Sequence, residues 1–326
     1  MSLLELRRVS KDFGGVPVLR EVDLAGGPGE VIGIVGANGA GKSTLLKTLS
    51  GAVPMSAGEM WMDGQRVELS SPHDAHDRGI RTVYQELSLV PELTVTENLL
   101  MGSLHRHRNR FGLIDWSAAH ARAREVLDAV GFGGINPRTR AGRLSVPRQQ
   151  MVEIAKALVS EPRVLVLDEP SAVLAGSDLD ALVALIRSLQ AGGVLVIYVS
   201  HRLVEVLDLA TTIVVIRDGQ VVATRTPAET SEDELISLMA GRRLEQIYPD
   251  RREAPGDPVV TVTGLGRTGE FSDVSFQLRT GEVVGLFGLV GSGRSELAHC
   301  LFGARPPHTG EVRIAGRAGP RLDDHP

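Results

Sequence analysis

Cysteine is almost missing from this chain. Cys300 stands alone in 326 residues, which excludes an intramolecular disulfide and a Cys-rich zinc site. No uninterrupted apolar run approaches the roughly 18 residues of a membrane-spanning helix. The first residues, MSLLELRRVSKDF, interleave charge with apolar side chains and lack the apolar core of a signal peptide. Positive charge is in deficit too: 35 Lys and Arg face 40 Asp and Glu. The net charge of −5 therefore makes no electrostatic case for nucleic acid or an anionic membrane. These absences predict a soluble chain that meets a membrane, if at all, through a partner. The rest is ordinary globular composition, 42% hydrophobic and 23% charged, over a length that suggests about two domains.

What the chain does have is glycine in a telling place. The run GANGAGKST comprises Gly36, Ala37, Asn38, Gly39, Ala40, Gly41, Lys42, Ser43 and Thr44. It follows the apolar VIGIV and precedes LLKTLSG, so it reads as strand, glycine loop, helix. This is the phosphate-cradling pattern G-x-x-x-x-G-K-[ST]. Glycines let the backbone bring successive N–H groups against phosphate oxygens, and the helix start adds its dipole and free donors. Lys42 is then placed for the β/γ-phosphates, and the Ser43 hydroxyl for Mg²⁺.

Taken in order, LLEL, VLREVDL and GEVIGIV read as strands separated by Gly/Pro turns. Phe13, in the first loop, either stacks on a purine or packs the loop. Hairpins are expected around Asp63-Gly64 and Asp218-Gly219, and IRTVYQE reads as a strand ending at Gln85. Residues 92–143 turn helical, with the basic run HRHRNR read as a solvated loop. A helix follows in LSVPRQQMVEIAKALVS, and then a buried parallel strand, VLVLDEP. Asp168 and Glu169 sit at the end of that strand, where open α/β sheets bind ligands. Asp168 is placed to hold Mg²⁺ through water and Glu169 to polarise a water; the alternative is a helix N-cap. His201 ends the next strand, VLVIYVS, either as a surface residue or as a third member of the site. Residues 242–257, rich in charge and proline, read as a linker.

Beyond it the chain starts again. GEVVGLFGLVGSGRSELAHCLFG at 281–303 repeats GEVIGIVGANGAGKSTLLKTLSG at 29–51, pairing Gly36 with Gly288 at an offset of 252. The offset also pairs Glu30 with Glu282, Ser43 with Ser295 and Gly58-Glu59 with Gly310-Glu311. In the second copy Arg294 stands for Lys42 and Glu296 for Thr44, and nothing replaces Phe13. At that offset Pro326 falls before the counterparts of Gln85, Asp168, Glu169 and His201, so the second copy reads as a fragment.

The ordered set of Phe13, GANGAGKST, Gln85, LSVPRQQ, VLVLDEP and His201 resembles the nucleotide-binding domain of ATP-binding cassette proteins. The second loop GLVGSGRSEL, the linker GRRLEQIYP and the phrase FGLIDW look like the fused ATPase subunit of bacterial importers for ribose, galactose or xylose-type sugars. The resemblance implies an α/β P-loop NTPase with an antiparallel β-subdomain, a RecA-like parallel core, a helical subdomain near 87–160, and a partial second copy. First-cassette bounds of 1–241 and a second copy from 258 follow. It implies ATP and Mg²⁺ as ligands, with Phe13 stacking on adenine and Gly36 to Thr44 cradling phosphate. Ser43, Gln85 and Asp168 hold the metal, while Glu169 is the general base, His201 the γ-phosphate sensor and Lys42 the phosphate clamp. It also implies a place on the cytoplasmic face of the membrane, beside permease subunits fed by a periplasmic or extracellular sugar-binding protein.

One departure matters. The family signature L-S-G-G-Q is LSVPRQ here, with Pro147 at a glycine whose N–H caps the opposite nucleotide; proline has no N–H. This poor signature would face the Arg294 loop, whereas the Lys42 loop needs a signature that this sequence does not include. The expected activity is therefore ATP binding with weak hydrolysis. A non-catalytic nucleotide-binding or regulatory protein is the alternative, and an ATPase of DNA repair or translation is disfavoured by the charge. An unpaired apolar strand at 283–287, VVGLF, is expected to leave residues 258–326 poorly ordered or pairing with another chain, a homodimer included.

Overall fold

The computed structural model describes residues 2–241, 256–288, 291–314 and 317–318. The chain divides into two compact units, Met1–Ile247 and Tyr248–Pro326. Of the expected linker, residues 242–255 lie outside the described residues.

The first unit opens with β1 (Leu4–Phe13), β2 (Val16–Gly26), β3 (Val31–Val35) and α1 (Lys42–Leu49). Next come β4 (Ala57–Met62), β5 (Gln65–Val67), α2 (Pro72–Asp77) and β6 (Ile80–Val83). Three helices follow: α3 (Val95–Leu100), α4 (Trp116–Ala129) and α5 (Val146–Leu158). Then β7 (Val164–Asp168), α6 (Ser177–Ala191), β8 (Leu195–Val199) and α7 (Leu203–Leu209) lead to β9 (Thr212–Arg217), β10 (Gln220–Arg225) and α8 (Glu232–Ala240).

Two sheets result. One is antiparallel, in the order β2-β1-β4-β5. The other runs β10-β9-β3-β8-β7-β6, parallel except for β10 at its edge. Strands β3, β7 and β8 are buried at every residue, which is why their sequences are nearly unbroken apolar runs. Their side chains alternate between two cores. Val31, Leu165 and Val196 face the helices. Ile32, Val166 and Ile197 face α1 and the antiparallel sheet. Because these three strands are parallel, the segments that leave them emerge along one edge, and that edge carries the site. Both expected hairpins are present. Asp63 and Gly64, like Asp218 and Gly219, all have positive φ, as a type I′ turn requires.

The second unit contains β11 (Pro258–Arg267), β12 (Phe271–Arg279), α9 (Arg294–Phe302), β13 (Thr309–Ile314) and β14 (Arg317–Ala318). Its sheet order, β12-β11-β13-β14, matches β2-β1-β4-β5. The register matches as well: Leu6 pairs with Leu24 and Met60, and Val262 pairs with Phe276 and Val312. Gly58 and Gly310 both have positive φ, and a Cβ on either would lie about 2.5 Å or less from the neighbouring strand's carbonyl oxygen. One difference is local. The β1–β2 hairpin reaches Phe13 and Val16, whereas β11–β12 turns between Arg267 and Phe271.

A second difference concerns the segment that the sequence reading expected to lack partner strands. VVGLF at 283–287 forms no strand, and Val283 and Phe287 are 97% and 94% exposed. The matching β3 is paired on both sides, by β8 and β9. No strand among the described residues pairs with 283–287, so nearly the same apolar pattern has no backbone partners here.

Candidate functional site

The loop after β3 is shaped by its glycines. Gly41 caps α1 in the left-handed region at φ 105. A Cβ there would meet Leu19 and the Val18 carbonyl at 3.0 Å, and one on Gly36 would lie 2.3 Å from the Ile216 carbonyl oxygen. Only glycine fits either place. The amides of Gly39, Gly41, Lys42, Ser43 and Thr44 find no acceptor among the described residues. They form a concentrated set of donors at a helix start, which is an anion cradle.

Lys42 Nζ donates to the carbonyls of Gly36 at 2.7 Å and Ala37 at 3.1 Å. Burial lowers its pKa, while the charges of Glu169 and Asp168 pull it back up. Asp168, the buried last residue of β7, shows the converse. Burial raises its pKa first and the neighbouring Glu169 adds to this, against Lys42 and Lys47. Glu169 sits at φ 49, strained for a residue with a Cβ, and its N–H donates to the Val199 carbonyl at 2.9 Å. That backbone turn sends its carboxylate to His201, where Oε2 lies 3.0 Å from Nδ1. The N-cap alternative for the acid pair fails, because α6 begins eight residues on, with Gly176 as its cap.

A cleft of about 740 Å³ gathers these groups. Its lining comprises Val18, Asn38, Gly39, Ala40, Gly41, Lys42, Ser43, Thr44, Gln85, Asp168, Glu169 and His201. Gly36 and Ala37 lie outside that lining, and their carbonyls hold Lys42. Phe13 is not part of the lining either. It stands at the hairpin tip, 50% exposed, with Lys11 Nζ 5.0 Å from its ring centroid. Val18, on β2 of the same hairpin, was not singled out in the sequence; an ordinary β-strand valine carries no local signal.

Two supporting networks were also missed. Ser171, two residues past Glu169, donates to Glu205, which also accepts from Tyr198 at 2.9 Å and Arg202 at 2.8 Å. It ties the segment after Glu169 to the one after His201. A carboxylate one helical turn past His201 was the available clue. Ser88, three residues past Gln85, donates to the buried Glu153 of α5 at 2.5 Å and accepts from Lys156 at 2.8 Å. At the start of α5, Ser145 is the N-cap and its hydroxyl makes no capping bond. Pro147 occupies the first turn, where a helix tolerates a missing N–H.

Ser43, Gln85 and Asp168 bring hard oxygen donors to one cleft, the chemistry Mg²⁺ takes when phosphates complete its shell. No cluster of three His, Cys, Asp or Glu suited to an all-protein metal cage occurs among the described residues.

A glycine loop between strand and helix, an acid pair closing a neighbouring strand and a histidine closing the next define a P-loop nucleotide-binding architecture. Residues 19–172 and 271–324, more than half of the chain, match the ABC transporter family, and the chain belongs to it. It is 47% identical to a ribose import ATP-binding protein, RbsA 1, of Rubrobacter xylanophilus over 315 residues, 97% of this chain and 62% of that one. To the ribose import ATP-binding protein RbsA of Chromobacterium violaceum it is 44% identical over 312 residues, 96% of this chain and 62% of that one. The chain thus spans 62% of the length of these relatives. A crystal structure of a nucleotide-free ATP-binding cassette from an ABC transporter aligns with TM-score 0.64 and 25% identity, over 77% of this chain and all of that one. A dimeric cassette in a post-hydrolysis state with ADP and phosphate aligns at 0.60 and 25%, over 69% of this chain and 98% of that one. The α/β P-loop fold expected from sequence is the observed one.

Proposed function

We propose that the cleft at Gly36 to Thr44 binds ATP with Mg²⁺ and that the chain is the ATPase subunit of a sugar importer. The convergence of Lys42, Asp168, Glu169 and His201 with the glycine loop in one cleft carries the reading. The ribose-import names of its relatives support the sugar assignment. Free amides and Lys42 hold the phosphates. Glu169, oriented by His201, takes the proton of the attacking water, and His201 senses the γ-phosphate. Mg²⁺, held by Ser43, Gln85 and Asp168, would neutralise developing phosphate charge. Phe13 is assigned to the adenine, reached by movement of its hairpin.

The two matched segments and the two sheets of equal order support a tandem arrangement: a first cassette at 1–241, a linker at 242–257 and a second copy from 258. The copies are unequal. In the second, Glu270 stands against Gly293 as Val18 stands against Gly41, and its carboxylate pairs with Arg267 and Arg305. The partners on this reading are permease subunits at the cytoplasmic face, fed by an external sugar-binding protein. The weak signature with Pro147 also favours a second reading, a cassette that binds nucleotide without turning it over.

Fluorescent ATP titration tests the site. Lys42→Ala should weaken binding about tenfold or more, the worth of charge-assisted hydrogen bonds, while Arg294→Ala leaves it unchanged. Glu169→Gln should keep binding and lose hydrolysis. Equal losses for Lys42→Ala and Arg294→Ala would sink the assignment of the first loop.

A further inference from the structure

The basic run 105–110 begins a loop that the nucleotide cleft does not use. It is built, not slack. Arg108 bridges to Ile114, and the Asp115 amide donates to the His107 carbonyl at 2.7 Å. Inside the turn, the Asn109 amide donates to the Leu113 carbonyl, and Asn109 Oδ1 accepts from the amides of Phe111 and Leu113 at 2.9 and 3.1 Å. These bonds hold a tip whose apolar side chains face water: Phe111 is 73% exposed and Leu113 67%, with Trp116 at 43%. Arg106, Arg108 and Arg110 flank it, and the Arg110 guanidinium lies 4.7 Å from the Phe111 ring centroid. The one carboxylate between 101 and 118, Asp115, is engaged by the amides of Ser117 and Ala118 at the start of α4.

We infer that the loop at 106–116 is a contact site for an anionic lipid surface. Aromatic and aliphatic tips enter the headgroup layer while arginines remain at the phosphates, so apolar and ionic demands are met together. An acidic soluble peptide would match the charge and leave Phe111 and Leu113 in water. The chain's net charge of −5 does not oppose the contact, because salt limits each charge to about 10 Å and the surface sees this patch alone. No helix of the described residues is long and apolar enough to cross a membrane, and the proposed contact is peripheral. It does not depend on the nucleotide reading.

Co-sedimentation of the full chain with vesicles of phosphatidylcholine, alone or with about one third phosphatidylglycerol, tests it; binding is expected to the anionic vesicles only. At about fivefold per arginine near such a surface, joint Arg106→Ser, Arg108→Ser and Arg110→Ser should weaken partitioning about a hundredfold. Phe111→Ser with Leu113→Ser should weaken it at unchanged charge, and in a Trp61→Phe background Trp116 emission should shift to the blue on binding. All these loop side chains are exposed, so circular dichroism should be unaltered. Absence of binding, equal binding to neutral vesicles, or binding that survives the loop variants and so arises at another apolar surface such as Phe287 would each overturn the inference.

Discussion

Asp168 and Lys42 hold charges that the nucleotide-free protein does not favour. For Asp168 the folded pKa is raised, so its contribution to stability is present below the unfolded value of 3.8 and lost as pH rises through the folded value. Asp168→Asn should therefore raise the thermal midpoint of the nucleotide-free chain at neutral pH, with the gain shrinking as the pH falls towards 3.8. Lys42 has the opposite shift. Its contribution is present above 10.5 and lost as pH falls, so Lys42→Met should stabilise at neutral pH too. A calorimetric series in which either variant is less stable than the parent at pH 7 would show that burial is not the governing cost. Both substitutions remove groups assigned to phosphate and metal, the usual conflict between stability and function. Glu169 adds backbone strain at φ 49 in exchange for its position opposite His201.

Among the elements, β3 and residues 283–287 form a natural comparison. Nearly the same apolar pattern is a fully buried central strand in one place and an exposed, unpaired segment in the other. Hydrogen exchange should separate them. Amides of 31–35 are expected to be protected at close to the global stability of their unit, and those of 283–287 to exchange at nearly free-chain rates. Comparable protection at 283–287 in a dilute monomer would mean that the segment finds partners. The hairpins differ in length with equal consequence, since only β1–β2 extends far enough to present an aromatic tip, Phe13.

For the whole molecule, the proposed weak hydrolysis rests on the proposed tandem arrangement. Pro147 in the run 144–149 has no N–H to donate, and on the proposed reading the Lys42 loop is completed by a signature from another cassette. Purified chain should turn over ATP more slowly than about one per second, the low end of ordinary enzymes, although it binds nucleotide. A steady-state rate at or above that mark would refute the requirement. Net charge is the other property of this scale, and here the whole misleads: a chain at −5 still carries a local cationic tip at 106–110.

Sequence by itself determined what depends on short-range chemistry. GANGAGKST specified its turn because only glycine fits at Gly36 and Gly41; buried parallel strands were legible as apolar runs; and strand-end acids at 168–169 marked the ligand edge. The order of these motifs was enough for the family. Tertiary structure decided what depends on neighbours distant in the chain. It brought Gln85 and His201 into the same cleft, left Phe13 outside its lining, and tied Ser171 to Tyr198 and Glu205 and Ser88 to Glu153. It also left VVGLF without pairing, because a strand is a relation between segments and an apolar pattern specifies only one side of it.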